Sequence, residues 1–177
     1  MPRINTDTHL APAASQPLLQ QIQQAFGSTP NMFKAVANSP AALKSMWASF
    51  GALGQGTLGA QLGEQIAVAI ANRNRCEYCL AAHTVLGQKA GASLAAMSAA
   101  QVGESEDPRT AAALRFALKV VEQRAHIDAT DVAALRDAGF KDEQVVEIMA
   151  HVALNLFTNY INVAFDVPVD FPKVALK

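Results

Sequence analysis

Apolar residues recur every three or four positions along nearly the whole chain, which is the spacing of a helix face that packs against a core. No segment shows the alternation of apolar and polar residues that a half-buried strand needs. Strong helix formers, above all alanine, dominate, and prolines and glycines fall where helices should stop. The pattern predicts an all-α fold.

The positions of proline and glycine divide the chain into about eight helices and a short segment at 31–39. They are expected at 15–26, 31–39, from Ala41 into the 50s, and at 59–73, 76–91, 92–100, 107–125, 128–139 and 142–165. Asp107 is the expected N-cap of its helix, with Pro108 in the first turn, and Gly91 is an expected C-cap. The tail from residue 166 contains two prolines and is predicted to be extended. No linker is long enough to split the chain, so residues 1–177 are expected to form a single helical domain.

Residues 62–83 and 141–162 align without gaps at an offset of 79 positions. Glu64 then falls on Glu143, while the two cysteines fall on Asn155 and Thr158. Alanine-rich helices match one another by chance, so both an internal helical repeat and a coincidence remain open. In a true repeat, one copy would have kept the chemistry and the other would have become scaffold.

Composition limits the classes of function. Apolar residues make up 51% of the chain and charged residues 16%, which predicts that part of the surface is buried against copies of the same chain. The net charge is −1 and no cluster of Lys and Arg occurs, so nothing indicates a nucleic-acid or anionic-membrane partner. The first residues resemble no secretory signal, and no apolar stretch is long enough to span a bilayer. A cytoplasmic location is therefore expected.

The only two cysteines, Cys76 and Cys79, are three positions apart. In a reducing compartment such a pair is usually redox-active or metal-binding rather than a structural disulfide. If a helix begins near Cys76, both thiols lie in its first turn, where free N–H groups and the helix dipole stabilise a thiolate. Arg73 and Arg75, just upstream, would add positive potential.

His83 lies four positions after Cys79, on the same face of the predicted helix. A tight turn near Asn74 between antiparallel helices brings Glu64 level with residue 84, beside His83. Glu64 lies in an apolar stretch, and an unpaired carboxylate buried there would be costly. The spacing therefore predicts a proton relay in which His83 takes the Cys79 proton and Glu64 orients the imidazole.

This pattern of Glu, eleven residues, Cys, two residues, Cys, three residues and His resembles that of the alkylhydroperoxidase D (AhpD)-like proteins. These proteins belong to the carboxymuconolactone decarboxylase superfamily. The close match covers residues 58–92, while the helical order of the rest and the tail "FDVPVDFP" are similar to the peroxidase-related branch. Tyr78 is a departure, because some members have a histidine at that position.

The resemblance implies a thiol-dependent peroxidase that acts on hydrogen peroxide or alkyl hydroperoxides. By this resemblance, Cys79 attacks the peroxide, Cys76 resolves the sulfenic acid as a disulfide, and Glu64 and His83 handle protons. No bound cofactor is implied, and an external dithiol or a redox partner protein must reduce the disulfide. Such proteins are typically trimers or hexamers. The superfamily's decarboxylases generally lack the cysteine pair, so decarboxylation is not expected.

Other interpretations remain open at this point. The protein could be a disulfide oxidoreductase or redox sensor with little peroxidase activity. It could also be a non-redox helical oligomer, either with the two cysteines as small buried residues or with zinc on Cys76, Cys79, His83 and Glu64. Tyr78 and His151 could each line a pocket or pack in the core. Three amides of the last helix are expected to satisfy buried polar groups: Asn155, Asn159 and Asn162. The aromatic residues near Trp47 are expected in the core or at subunit contacts, or around a pocket for an organic peroxide.

Overall fold

The computed structural model describes residues 1–177 and confirms the all-α fold, because it contains nine α-helices and no strand. The helices are α1 (Gln16–Phe26), α2 (Asn31–Val36), α3 (Pro40–Leu53), α4 (Ala60–Arg73), α5 (Glu77–Lys89), α6 (Leu94–Ala100), α7 (Pro108–Glu122), α8 (Ala129–Asp137) and α9 (Asp142–Ala164). Two short 3₁₀ helices, Thr8–Leu10 and Ala13–Ser15, precede them. None of the helices is long and apolar enough to cross a lipid bilayer.

The helix boundaries follow the predicted capping chemistry with small differences. Asp107 is the N-cap of α7, and its carboxylate accepts the N–H groups of Arg109 and Thr110. Gly91 is not the C-cap of α5 as predicted, because the helix ends one residue earlier, at Lys89, with Ala90 as the cap. Gly91 instead takes the next position with φ of 98°, a left-handed conformation that glycine adopts without strain.

The internal repeat is not present in the structure. Residues 62–83 form a helical hairpin, made by α4, a turn and the first half of α5. The aligned residues 141–162 form most of one uninterrupted helix, α9. Since one segment turns back on itself and the other runs straight, the sequence similarity does not reflect a duplicated structural unit.

Helix α4 is the centre of the core. Ten of its fourteen residues are buried, and it packs against α5, α6, α7 and α9. A helix that is apolar on all sides is suited to this central position. The α4–α5 hairpin therefore lies in the interior, and the cysteine pair lies at its turn, between the core and the long helix α9.

The C-terminal tail is extended, as predicted, and it lies against the hairpin. Its start is fixed by the N–H of Val167, which donates to the Asn162 carbonyl at 3.0 Å. At its end, the N–H of Lys177 donates to the Asn72 side chain at 2.9 Å. The tail thereby crosses the turn that carries the cysteines.

Candidate active site

The turn between α4 and α5 determines the position of Cys76. The N–H of Cys76 donates to the Ala71 carbonyl at 2.9 Å, and the N–H of Arg75 donates to the Asn72 carbonyl at 3.1 Å. These two bonds form a Schellman motif, which requires a left-handed residue just beyond the helix. Arg75 has that conformation, with φ of 56°, at a cost of about 1–2 kcal/mol for a non-glycine residue. Cys76 is then both the last residue of this motif and the N-cap of α5.

The two cysteines are reduced thiols in the structure and are almost fully buried. The Cys76 sulfur accepts the N–H of Cys79 at 3.3 Å. Hydrogen bonds from the Cys79 side chain and backbone lower the pKa of Cys76, although burial opposes this effect. Burial raises the pKa of Cys79 well above its ordinary value, and the neighbouring Cys76 raises it further. The first thiolate of the pair therefore forms at Cys76 and accepts a hydrogen bond from the Cys79 thiol.

Glu64 and His83 form the pair that their spacing predicts. His83 Nδ1 lies 2.7 Å from Glu64 Oε2, across the α4–α5 hairpin. Burial opposes protonation of the ring, but the Glu64 carboxylate outweighs it and raises the pKa of His83 above its ordinary value. The ring nitrogen Nε2 makes no hydrogen bond within the chain, and none joins His83 to Cys79. The predicted relay is therefore half assembled: its carboxylate–imidazole link is formed, and its imidazole–thiol link is not.

Cys79, His83 and Glu64 line one pocket of about 350 Å³, which is here called the aromatic pocket. Eleven of its fifteen lining residues are apolar. Six of the eleven aromatic residues of the chain lie in its wall: Phe26, Phe33, Trp47, Phe50, Tyr78 and Phe171. Such a lining, with only a few polar groups, is typical of sites that bind small apolar molecules.

Tyr78 lines the aromatic pocket and is also held by hydrogen bonding and packing. Its hydroxyl accepts the N–H of Met32 at 3.1 Å, and its ring meets Phe171 edge-on with the centroids 5.7 Å apart. Burial raises the pKa of Tyr78 far above its ordinary value, so the side chain remains neutral. His151 does not line this pocket. It lies against Gly63 on α4, and burial lowers its pKa.

The comparisons with known proteins agree with this architecture. Residues 40–123 match the sequence profile of the Carboxymuconolactone decarboxylase family. A peroxidase-related protein from Silicibacter sp. TM1040 is 25% identical, with a TM-score of 0.81 over 97% of this chain and 90% of the other. An alkylhydroperoxidase AhpD core protein from Ralstonia eutropha JMP134, also named peroxidase-related, is 25% identical, with a TM-score of 0.84 over 96% and 92%. The profile match and these two structures support the carboxymuconolactone decarboxylase superfamily as the family of this chain.

A third solved structure shows how far the fold extends. The debrominase Bmp8 is 21% identical to this chain, with a TM-score of 0.76 over 94% of both chains. At 21% identity, this similarity shows a shared fold and nothing about function. No protein of curated function matches the sequence. The superfamily fold therefore carries more than one chemistry, and the function must be argued from the site.

Asn162 contacts the candidate site, and the sequence did not reveal that role. It lies on α9, and its Nδ2 donates to the Cys79 sulfur at 3.1 Å. This bond and the nearby amide of Asn159 lower the pKa of Cys79, although by less than burial raises it. Asn155, Asn159 and Asn162 are spaced by four and three residues, so they share one face of an apolar helix. That spacing is the sequence feature that could have indicated a polar site against α9.

The zinc arrangement considered from the sequence is not formed. No group of three or more His, Cys, Asp and Glu side chains is placed to hold a metal ion. Glu64 is directed at His83 Nδ1, and the Cys79 sulfur meets the Asn162 amide. The four residues therefore form two adjacent hydrogen-bonded pairs, Glu64 with His83 and Cys76 with Cys79, rather than one tetrahedral set.

Proposed function

We propose that the protein is a thiol-dependent peroxidase that reduces organic hydroperoxides. The observation that carries this proposal is that Cys79 and the Glu64–His83 pair line the same aromatic pocket, with Cys76 adjacent to Cys79 in the first turn of α5. A sulfur that faces an apolar pocket, beside a histidine that can supply a proton, suits reductive cleavage of an O–O bond.

Cys79 becomes the attacking thiolate without a second ionisation of the pair. The first proton leaves from Cys76, whose sulfur then accepts the Cys79 thiol proton within their hydrogen bond. Transfer of that proton to Cys76 leaves a thiolate on Cys79, where the Asn162 amide donates to it. Because burial raises the pKa of Cys79, this form is the minor one in the proposed mechanism, and substrate reacts with a small population of Cys79 thiolate.

The oxidative steps then balance. The Cys79 sulfur attacks the terminal oxygen of the hydroperoxide, the O–O bond breaks, and the alkoxide takes a proton from His83. Cys79 is now a sulfenic acid. Cys76 gives up the proton that it received from Cys79 as its sulfur attacks the Cys79 sulfur, the S–O bond breaks, and the departing hydroxide takes that proton and leaves as water. In sum, two thiols and one hydroperoxide give a disulfide, an alcohol and water, and an external dithiol must restore the thiols.

Single cysteine variants test this assignment. Cys79→Ser is expected to abolish consumption of cumene hydroperoxide, since the sulfur in the pocket is lost. Cys76→Ser is expected to react once with peroxide and to leave a sulfenic acid on Cys79 that dimedone labels, as mass spectrometry of the modified peptide would show. Full turnover by Cys79→Ser, or dimedone labelling on Cys76 in that variant, would exclude Cys79 as the attacking residue.

A disulfide oxidoreductase is the second candidate, and one observation favours it. Cys76 lies at the N-cap of α5 with a lowered pKa, which is the usual setting of a cysteine that exchanges disulfides. The two functions differ in the preferred oxidant. A peroxidase oxidises faster with cumene hydroperoxide than with a disulfide such as oxidised glutathione at equal concentration, whereas an oxidoreductase shows the reverse order. The thiol count of the protein after each reaction gives both rates.

We also propose that the protein self-associates and acts in the cytoplasm. Large apolar side chains remain exposed along α9, among them Val146, Phe157, Tyr160 and Val163. Monomeric proteins rarely leave such groups together in water. Light scattering coupled to size-exclusion chromatography measures the subunit number. A trimer or hexamer agrees with the family resemblance, and a monomer at micromolar concentration contradicts the proposal.

A further inference from the structure

The two cysteines line different cavities. Cys79 lines the aromatic pocket, and Cys76 does not. Cys76 lines a second cavity of about 400 Å³, which is here called the tail cavity, between the start of α5, the end of α9 and residues 166–169. Tyr78 is the one residue that lines both cavities. The cysteine pair therefore lies in the wall between two separate spaces.

The tail cavity differs from the aromatic pocket in chemistry. Four of its ten lining residues are polar or charged, namely Arg75, Glu77, Asn162 and Asp166, and Tyr78 is its one aromatic residue. The Arg75 guanidinium donates to the main-chain oxygen of Lys177 at 3.1 Å, so the tail and the cavity wall are held together. An apolar peroxide fits the aromatic pocket better, and a polar, water-soluble molecule fits the tail cavity better.

Asn162 supplies a second, independent observation at the tail cavity. It lines this cavity, and it is 4% exposed. Its Nδ2 is occupied by the Cys79 sulfur, but its Oδ1 has no hydrogen-bond partner although it is buried. Buried amide oxygens are rarely left unpaired, and a bound molecule with a donor group is one way to satisfy them.

We propose that the reductant of the Cys76–Cys79 disulfide binds in the tail cavity as a small or narrow dithiol and attacks Cys76. This proposal concerns the partner of the same cysteine pair and rests on the disulfide of the proposed function. It gives the two half-reactions separate routes, with peroxide reaching Cys79 from one side of α5 and the dithiol reaching Cys76 from the other. Alcohol product left in the aromatic pocket then does not block reduction.

The exchange balances in two steps. A thiolate of the dithiol attacks the Cys76 sulfur in line with the disulfide, the Cys76–Cys79 bond breaks, and the electron pair leaves on Cys79. The Asn162 N–H, at 3.1 Å in the reduced structure, donates to that leaving sulfur. The second thiolate of the dithiol then attacks the other sulfur of the dithiol, the one bonded to Cys76 in the mixed disulfide. This releases Cys76 as a thiolate, which accepts the N–H of Cys79, and the dithiol leaves as a disulfide. The dithiol loses two electrons and two protons: the protein gains both electrons, one proton goes to the Cys79 sulfur, and the other goes to solvent while Cys76 remains a thiolate.

The direct test locates the first bond that forms. Wild-type protein is oxidised with diamide, so that the result does not depend on any peroxidase activity. It is then treated briefly with the monothiol 2-mercaptoethanol, quenched with acid, alkylated and digested. We expect the mercaptoethanol adduct on Cys76 and the alkyl group on Cys79 at the earliest times. An adduct that first appears on Cys79 overturns the proposal, even if peroxide turnover is normal.

A blocking pair tests the route of the dithiol. Glu77 is exposed at the start of α5 and lines the tail cavity. Glu77→Trp and Glu77→Gln lose the same charge, but only the tryptophan fills space. We expect dithiothreitol to reduce diamide-oxidised Glu77→Trp about tenfold more slowly than Glu77→Gln. Equal rates in the two variants overturn the proposal.

The aromatic pocket offers the complementary variant. Gly51 is an exposed residue of α3 that lines that pocket, and an added Cβ there would meet no atom within 4 Å, so Gly51→Leu adds bulk at the edge of the pocket without a clash. We expect it to slow oxidation by cumene hydroperoxide more than reduction by dithiothreitol. A slower reduction in Gly51→Leu than in Glu77→Trp would place the dithiol in the aromatic pocket and overturn the proposal. If peroxide does not oxidise the wild-type protein, the proposed function is wrong. Both reduction tests remain valid in that case, because they start from protein oxidised with diamide.

Discussion

Replacing Asn162 by leucine tests whether the Cys79 thiolate depends on α9. The substitution keeps the size of the side chain and removes one contact at the reacting sulfur, the 3.1 Å hydrogen bond from Nδ2 to Cys79. It also removes Oδ1, a buried oxygen that has no partner. The change therefore separates catalysis from stability, because the group that is lost matters to the thiolate more than to the folded protein.

The expected loss follows from the strength of a hydrogen bond to a charged group, which contributes about 1.5–3 kcal/mol in a protein. Losing this bond raises the pKa of Cys79 further and reduces its thiolate population about ten- to hundredfold, at 1.36 kcal/mol for each factor of ten. The rate of oxidation by cumene hydroperoxide at neutral pH should fall by the same factor. The unfolding free energy should change by less than about 1 kcal/mol, because removing the unpaired Oδ1 offsets the lost hydrogen bond.

Stopped-flow fluorescence of Trp47, the only tryptophan and a wall residue of the aromatic pocket, follows the oxidation directly. Asn155→Leu is the matched control. Asn155 lies on the same face of α9, is equally buried, and donates to the His151 carbonyl within its own helix. We expect the Asn162 variant alone to show the slow rate, lowered by the same factor across the pH profile, because Cys76 still loses the first proton and sets the midpoint of that profile. If the rates and pH profiles of both variants equal those of the wild type, Asn162 does not stabilise the thiolate.

Two further substitutions test the surroundings of the site. Glu64→Gln removes the carboxylate that raises the pKa of His83, and the ion pair stabilises the folded state only where His83 is protonated. The variant should therefore lose unfolding free energy on the order of 1–3 kcal/mol at pH values below the pKa of an unfolded histidine. This loss should disappear as pH rises through the raised pKa of His83. An equal loss in urea unfolding at pH 5.5 and at pH 8.5 contradicts this. Gly63→Ala places a Cβ 2.9 Å from the His151 ring and should lower stability by about 1–3 kcal/mol, whereas Gly51→Ala, on open helix surface, should raise it by up to about 1 kcal/mol. A similar melting temperature for the two alanine variants would mean that His151 moves away freely.

The features that the sequence predicted well depend on contacts close along the chain. The helical period, the N-cap at Asp107 and the turn between α4 and α5 are each determined by a few neighbouring residues. The Glu64–His83 contact spans nineteen positions, but only one tight turn separates the two helices that carry it. Counting residues outward from that turn was therefore enough to pair them. The same counting could not show that His83 Nε2 lacks a hydrogen bond to Cys79.

The features that the sequence did not reveal depend on long-range packing. Asn162 meets Cys79 across 83 positions, because α9 crosses the start of α5. The order of ionisation of the two thiols depends on burial and on which sulfur accepts the Cys79 N–H, and residue spacing determines neither. The apparent repeat failed for a related reason. Similar apolar patterns suit both a hairpin and a straight helix, and the left-handed turn at Arg75 is absent from the other segment.

For Tyr78, the local sequence pattern and the long-range packing suggest different roles. By resemblance it replaces a histidine that some relatives carry between their cysteines, which suggested a loss of proton-transfer capacity. In the structure its hydroxyl is engaged by the Met32 N–H, and its ring is the one wall that the aromatic pocket and the tail cavity share. A neutral, fixed ring in that place cannot relay protons near neutral pH, but it does separate the two spaces. In the proposed mechanism the proton chemistry therefore rests on His83 and on the cysteine pair itself, and Tyr78 would keep the peroxide and the dithiol apart.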